Sequence, residues 1–146
     1  MIYLCGSCSS EHRTIMRRVA QLLRENDFEV YCPFELKIEN AWDYSQEEWA
    51  QMVFEEDKAH LDKCNLLLFI SSGRVSTAGC NWEQGYAYAK GIPTIVFQYT
   101  DDPTSLMTFC SSTKFINTNE KNLLYDLNKY LVNDHMVPRT CRTILT

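Results

Sequence analysis

Residues 64–98 read CNLLLFISSGRVSTAGCNWEQGYAYAKGIPTIVFQ, and this stretch decides the fold. Leu66–Ile70 is a run of aliphatic and aromatic residues with no polar break. Strands covered on both faces read this way, so Asn65–Ser71 is expected to lie inside a parallel sheet. The segment from Ser71 to Gly79 is rich in Ser, Gly and Thr and reads as a loop. A helix is expected over about Cys80–Lys90, stopped by Gly91 at a C-cap position. Ile92–Gln98 is then a further apolar strand. Strand, helix and strand in such short order make a crossover unit, which joins parallel strands.

The same alternation extends in both directions. Ile2–Cys5 is an apolar strand stopped by Gly6, and Ser7, Ser9 and Ser10 offer helix caps. From Glu11 to Asn26, Ile15, Val19, Leu22 and Leu23 recur at helical spacing. Asn26-Asp27 breaks this helix, and Phe28–Cys32 is a strand closed by Pro33. Residues 35–44 are irregular and polar. Ser45 with Glu48 three residues later is a capping box opening a helix to about Lys63. Beyond Gln98 come a short helix at Pro103–Phe109, a strand at Lys114–Ile116 and a closing helix at Glu120–Leu131. This pattern predicts an α/β chain with a doubly wound, five-stranded parallel sheet and helices on both faces. Residues 1–146 read as a single domain, with 133–146 a tail or interface segment. Ligands of such sheets sit beyond the carboxyl ends of the strands. The loops to inspect are Gly6–Glu11, Pro33–Tyr44, Ser71–Gly79 and Tyr99–Pro103.

Composition narrows the function. Nineteen acidic against fourteen basic residues give a net charge of −5, which argues against a nucleic-acid polymer or an anionic membrane as partner. Leu66–Ile70 is far shorter than the roughly 20 apolar residues of a membrane span. Met1–Cys8 lacks the basic start of a secretory signal. Seven cysteines, an odd number and several of them in apolar segments, read as reduced thiols in a cytoplasmic protein. Cys5 and Cys8 have redox C-x-x-C spacing, but a Ser-rich loop holds them and no histidine pair stands at zinc spacing, so no metal is expected.

Three residues stand out. Asp57 interrupts the helical stripe Trp49, Val53, Leu61 and Cys64, where a carboxylate must be paired or used. The plain alternative is a solvated edge at which Asp57 pairs with Lys58 or an arginine. Glu83 falls in the first turn of the helix after the Gly/Ser loop, where the helix dipole favours its ionised form. Simple helix-start electrostatics would also place a glutamate there. Tyr3 alternates with Ile2 and Leu4, as a core tyrosine does. Trp42, Trp49 and Trp82 read as core or interface residues, and His12, His60 and His135 as structural.

Taken together, Ile2-Tyr3-Leu4-Cys5-Gly6-Ser7, Glu56-Asp57, Ala78-Gly79 ahead of Trp82-Glu83, Gly85-Tyr86-Ala87 and Ala89-Lys90-Gly91-Ile92-Pro93 resemble the nucleoside 2-deoxyribosyltransferase family. That family includes the related 2′-deoxynucleoside 5′-monophosphate N-hydrolases. The resemblance implies a Rossmann-like or flavodoxin-like fold and cleavage of an N-glycosidic bond through a covalent ribosyl-glutamate, with no cofactor. It implies Glu83 as nucleophile, Asp57 as the group exchanging a proton with the base, and Tyr3 as the holder of Glu83. The substrate, a nucleoside or nucleotide, would meet Gly6, Ser7, Ser9, Thr77, Gly79 and Ser105. Ser105 would come from a neighbouring subunit of a homodimer or higher homo-oligomer. A non-catalytic nucleotide-binding module on the same fold is the rival reading.

Two positions depart from the transferase pattern. Thr77 stands where transferases carry an aspartate and the hydrolases a serine, and Ser105 where transferases place an asparagine. Neither is charged, so a 5′-phosphate meets hydroxyl donors. Ser9 stands where those hydrolases carry an arginine, with Arg13 or Arg74 as the candidate substitute. Thr77→Asp is therefore expected to lower kcat/KM for a deoxynucleoside 5′-monophosphate roughly tenfold relative to the free nucleoside, because like charges are brought together. Parallel kinetics on the two substrates check this, and an unchanged ratio refutes a 5′-phosphate site at Thr77.

Overall fold

A computed structural model of the chain describes residues 1–73 and 78–133. Five strands form one parallel sheet: β1 (Ile2–Gly6), β2 (Val30–Tyr31), β3 (Leu66–Ser71), β4 (Thr94–Gln98) and β5 (Lys114–Asn117). Their spatial order is β2-β1-β3-β4-β5. The helices are α1 (Ser10–Glu25), α2 (Gln46–Lys63), α3 (Ala78–Ala89), α4 (Leu106–Cys110) and α5 (Leu123–Leu127). The doubly wound α/β architecture expected from the alternation is the one observed.

Alternation along the central strands sorts the core into two layers. Ile2, Leu4, Leu66, Leu68, Ile70, Ile95 and Phe97 pack with residues of α1 and α5 on one face. Tyr3, Cys5, Leu67, Phe69 and Val96 pack with residues of α2 and α3 on the other. All six residues of β3 are buried, as befits the central strand of a two-sided sheet.

Several boundaries differ from the sequence reading. β2 is two residues long rather than five, because only Val30 and Tyr31 pair with β1, opposite Ile2 and Tyr3. The buried face of α1 is Met16, Val19, Ala20 and Leu23. Ile15 and Leu22, expected in the core, only flank it, since the stripe is rotated toward smaller Ala20 and adaptable Met16. α5 is shorter than expected and continues in wider turns over Asn128–Asn133. The irregular stretch between β2 and α2 contains two single 3₁₀ turns, Pro33–Glu35 and Ala41–Asp43.

Local chemistry fixes the element ends near the site. Chain reversal after α1 puts Asp27 at φ 64, and Gly91, at φ 71, ends α3 as its C-cap position predicted. A Cβ at Gly6 would displace the end of the Met16 side chain, which packs over this glycine. Both hydrogen bonds of the Ser45–Glu48 capping box form, at 3.1 and 2.8 Å. Ser45→Ala should cost about 1 kcal/mol of stability, read as a lower urea midpoint with unchanged denaturant slope.

Candidate active site

The sheet order reverses direction between β1 and β3, the kind of switch point at which doubly wound sheets bind their ligands. Side chains from β1, β2, α2 and α3 converge on it. Tyr3 is fully buried in β1, yet its hydroxyl reaches Glu83 of α3 and donates to Oε1 at 2.8 Å. Glu83 is half-buried and lies in the second turn of α3 rather than the first, because the helix already includes Ala78. That position lies beyond the first turn, to which the helix dipole's effect is largely confined. Burial pushes the carboxyl up from the ordinary glutamate value, and Asp57 adds to the rise. Hydrogen bonds from Cys5 and Tyr3 oppose that rise.

Asp57 sits on α2 across the cleft. It makes no pair with Lys58, which bridges Asp62 at 2.8 Å instead. Its partner is Tyr31 of β2, whose hydroxyl donates to Oδ1 at 2.7 Å. Burial raises the Asp57 pKa, and the Tyr31 bond and nearby His60 hold it back. His60 stacks on the Tyr31 ring with centroids 3.6 Å apart and planes 11° apart. The two tyrosines are register partners on adjacent strands, with ring centroids 5.4 Å apart. Each carboxylate thus receives a phenol from its own strand, and burial pushes both phenols well above the ordinary tyrosine value.

Asp57 and Glu83 line one cavity of about 570 Å³, with Trp49, Val53, Phe54 and Leu61 of α2 and Ala78, Gly79 and Trp82 of α3. Most of its lining is apolar, and its charged residues are Asp57, Glu83 and Lys58. Of the core or interface places expected for the tryptophans, the core does not hold: Trp42, Trp49 and Trp82 are 84%, 42% and 46% exposed. α2 carries few apolar residues facing the sheet besides Leu61, so its aromatic side chains border the cavity instead.

A sequence profile of the nucleoside 2-deoxyribosyltransferase family matches residues 2–138. The chain belongs to this family. It is accordingly an enzyme of the nucleoside deoxyribosyltransferase type. Solved structures share the fold. The 2-deoxyribosyltransferase of Bacillus psychrosaccharolyticus superposes with a TM-score of 0.71 at 24% identity, over 84% of this chain and 89% of that one. A conserved protein from Enterococcus faecalis V583 gives 0.68 at 21% identity, over 89% and 98%. The Clostridium botulinum CMP N-glycosidase BcmB gives 0.63 at 19%, over 90% and 100%. No curated protein sequence matches the chain.

The other residues singled out from the sequence occupy two further places. Gly6, Ser7 and Ser9 form the turn between β1 and α1, where Ser7 Oγ donates to Ser9 Oγ at 3.1 Å. Arg13 folds back onto this turn and donates to the Cys8 carbonyl at 3.2 Å. Ser105 is the residue before α4 and lines a separate cavity of about 580 Å³ with Asn81, Gln84, Gly85 and Tyr88. Within one chain it does not join the Glu83 cavity. Thr77 and Arg74 lie outside the described residues, as do His135 and Cys141. Among the described residues no helix is long and apolar enough to cross a membrane.

Two contributors were missed from the sequence. Tyr31 is legible only once β2 is set in register beside β1, which pairs it with Tyr3. Cys80, read merely as the start of a helix, comes close to Cys5 and Glu83. The C-x-x-C partner Cys8 is exposed instead. Tyr31→Phe removes a donor that stabilises charged Asp57, so its carboxyl pKa should rise further. Carboxyl-carbon NMR titration measures this, and a fall on substitution refutes the assigned role of the Tyr31 bond.

Proposed function

We propose that the protein cleaves the N-glycosidic bond of a 2′-deoxynucleoside or its 5′-monophosphate in two steps through Glu83. One observation carries this reading: Glu83, bonded to Tyr3, and Asp57, bonded to Tyr31, line a single nucleoside-sized cavity in a chain of this family. Glu83 attacks the anomeric carbon as the bond to the base breaks, and the electron pair leaves with the base. Asp57 gives its proton to the departing nitrogen. In the second step a free base or water attacks the same carbon, returns a proton to Asp57 and releases Glu83. Two displacements at one carbon retain its configuration.

The electrostatics suit this division. Burial raises Asp57, which favours the protonated form that a general acid needs. Glu83 is raised by burial too, but the Cys5 and Tyr3 donors favour its charged, nucleophilic form. Tyr3 fixes one carboxylate oxygen and so orients the group. Gly79 borders the cavity beside Glu83, where the sugar would lie.

On the 5′ side we assign Gly6, Ser7, Ser9 and Thr77, completed by Ser105 of a second copy of the chain. Ser105 lies beside Leu106, Met107 and Phe109, which are 79%, 79% and 55% exposed, an apolar surface suited to a homodimer. Hydroxyl donors suit a phosphate, so hydrolysis of a 5′-monophosphate stands beside base exchange. One structural neighbour is named an N-glycosidase and another a deoxyribosyltransferase. The described cysteines are thiols, consistent with work in the reducing cytoplasm.

Glu83→Gln keeps shape but removes the nucleophile, so turnover should fall by about 10³-fold or more. Intact-protein mass spectrometry of the wild type quenched with substrate should show a sugar adduct that the variant lacks. Near-native turnover in Glu83→Gln sinks the reading. Asp57→Asn should slow substrates with basic leaving groups more than activated ones, by roughly 10²-fold at the unactivated end. A uniform loss across the leaving-group series would mean that Asp57 only positions the base.

A further inference from the structure

Beyond the Cys5 donor to Glu83, the thiols around Glu83 have no part in the reaction above. Cys5 ends the buried run of β1, and Cys80 lies in the first turn of α3, three residues before Glu83 and on the same helix face. One ligand atom from each of Cys5, Cys80 and Glu83 lies within 4.8 Å of the others. Both cysteines belong to the packed layer between the sheet and α2/α3, at 0% and 3% exposure, so the fold holds them together.

We propose that Cys5, Cys80 and Glu83 form a binding site for one thiophilic divalent cation of the zinc class, and that its occupancy withdraws Glu83 from the substrate. Two sulfurs and one carboxylate oxygen are a ligand set for zinc or cadmium and a poor one for magnesium or calcium. In a tetrahedral zinc site such atoms stand about 3.6–3.8 Å apart. Side-chain rotation closes the remaining gap, and the larger cadmium ion needs less closure. Tyr3 occupies Glu83 Oε1, and the Cys5 thiol that also donates to Glu83 loses its proton on binding the cation, which frees a carboxylate oxygen for the metal. The fourth position is left for water or a substrate atom from the cavity that Glu83 lines.

Thiol oxidation is the competing use of this pair, and the chemistry disfavours it. Cys5 and Cys80 are at 0% and 3% exposure, so a peroxide from solvent has little access to either sulfur. A coordinated cation deprotonates the thiols itself and releases the protons to solvent. The C-x-x-C spacing points to the wrong partner. Cys8 is exposed and turns its thiol toward the Gly6 carbonyl, 3.9 Å away, while Cys80 completes the cluster.

The test titrates chelator-treated, reduced full-length protein with cadmium chloride and follows sulfur-to-metal charge-transfer absorption in the ultraviolet. Zinc chloride is titrated in parallel against turnover of a deoxynucleoside and its 5′-monophosphate. The expected result is a band saturating at one equivalent, with zinc inhibition reversed by EDTA. Cys80→Ala and Cys80→Ser should each need at least about tenfold more cation for half-saturation, while Cys8→Ala tracks the wild type. Inhibition is read against each variant's own metal-free rate, and circular dichroism confirms folding. Absence of a band at one equivalent, or equal weakening by Cys8→Ala, overturns the site. Inhibition rests on the catalytic role proposed for Glu83, whereas absorption does not. A Cys80-dependent band without inhibition upholds the cation site and overturns the role of Glu83.

Discussion

The hydrogen bond from the Tyr3 hydroxyl to Glu83 ties the middle of the sheet to the helix that carries the reactive carboxylate. It spans 80 residues of sequence and joins a side chain with no exposed surface to one that borders a cavity. Burying a carboxylate is costly unless donors compensate, and here the donors are neutral. A cation in the same place would hold the carboxyl well below its ordinary range and weaken it as a nucleophile. Phenol and thiol donors leave it raised by burial but oriented. The position of α3 over the end of β1 depends on this contact and on the packing of Cys5, Cys80 and Ala87 beneath it.

Tyr31 repeats the arrangement one strand over. In parallel strands, register partners point to the same face, so Tyr3 and Tyr31 emerge side by side. Each meets a carboxylate from a different helix, and the two acids face each other across the cleft without sharing a donor. β2 is short, but its two residues are the ones this geometry requires. His60 caps the outer ring by stacking on Tyr31, which limits the directions in which that ring can swing.

The cavity walls follow from the same economy. α2 buries only Leu61 fully, so its aromatic residues are left to border solvent and the cavity. Phe54 meets Trp82 edge to face at 5.3 Å, and Trp82 stacks on Tyr86 at 5.2 Å. Lys58 and Lys90 lie over Tyr86, and Asp62 accepts from its hydroxyl at 2.5 Å. This strip joins α2 to α3 along the outer rim, so that the spacing between Asp57 and Glu83 is braced from outside as well as from the sheet.

Apolar runs, capping signals and glycine stops determined the order of elements, because these features act within a few residues of the chain. Strand β3, the Ser45–Glu48 cap and the Gly91 helix end were legible on that ground. Tyr3, Asp57 and Glu83 could be picked out because a polar group on a buried stripe, or inside a recognisable motif, is conspicuous in one dimension. Tertiary structure alone decided what each one touches. Strand register brought Tyr31 to Asp57, and strand order placed α3 so that Cys80, not Cys8, joined Cys5. It also left the three tryptophans, read as core or interface residues, outside the core. The physical reason is range: caps and periodicity are set by neighbours along the chain, whereas donors for a buried carboxylate come from whichever side chain the packed layers bring within hydrogen-bond distance.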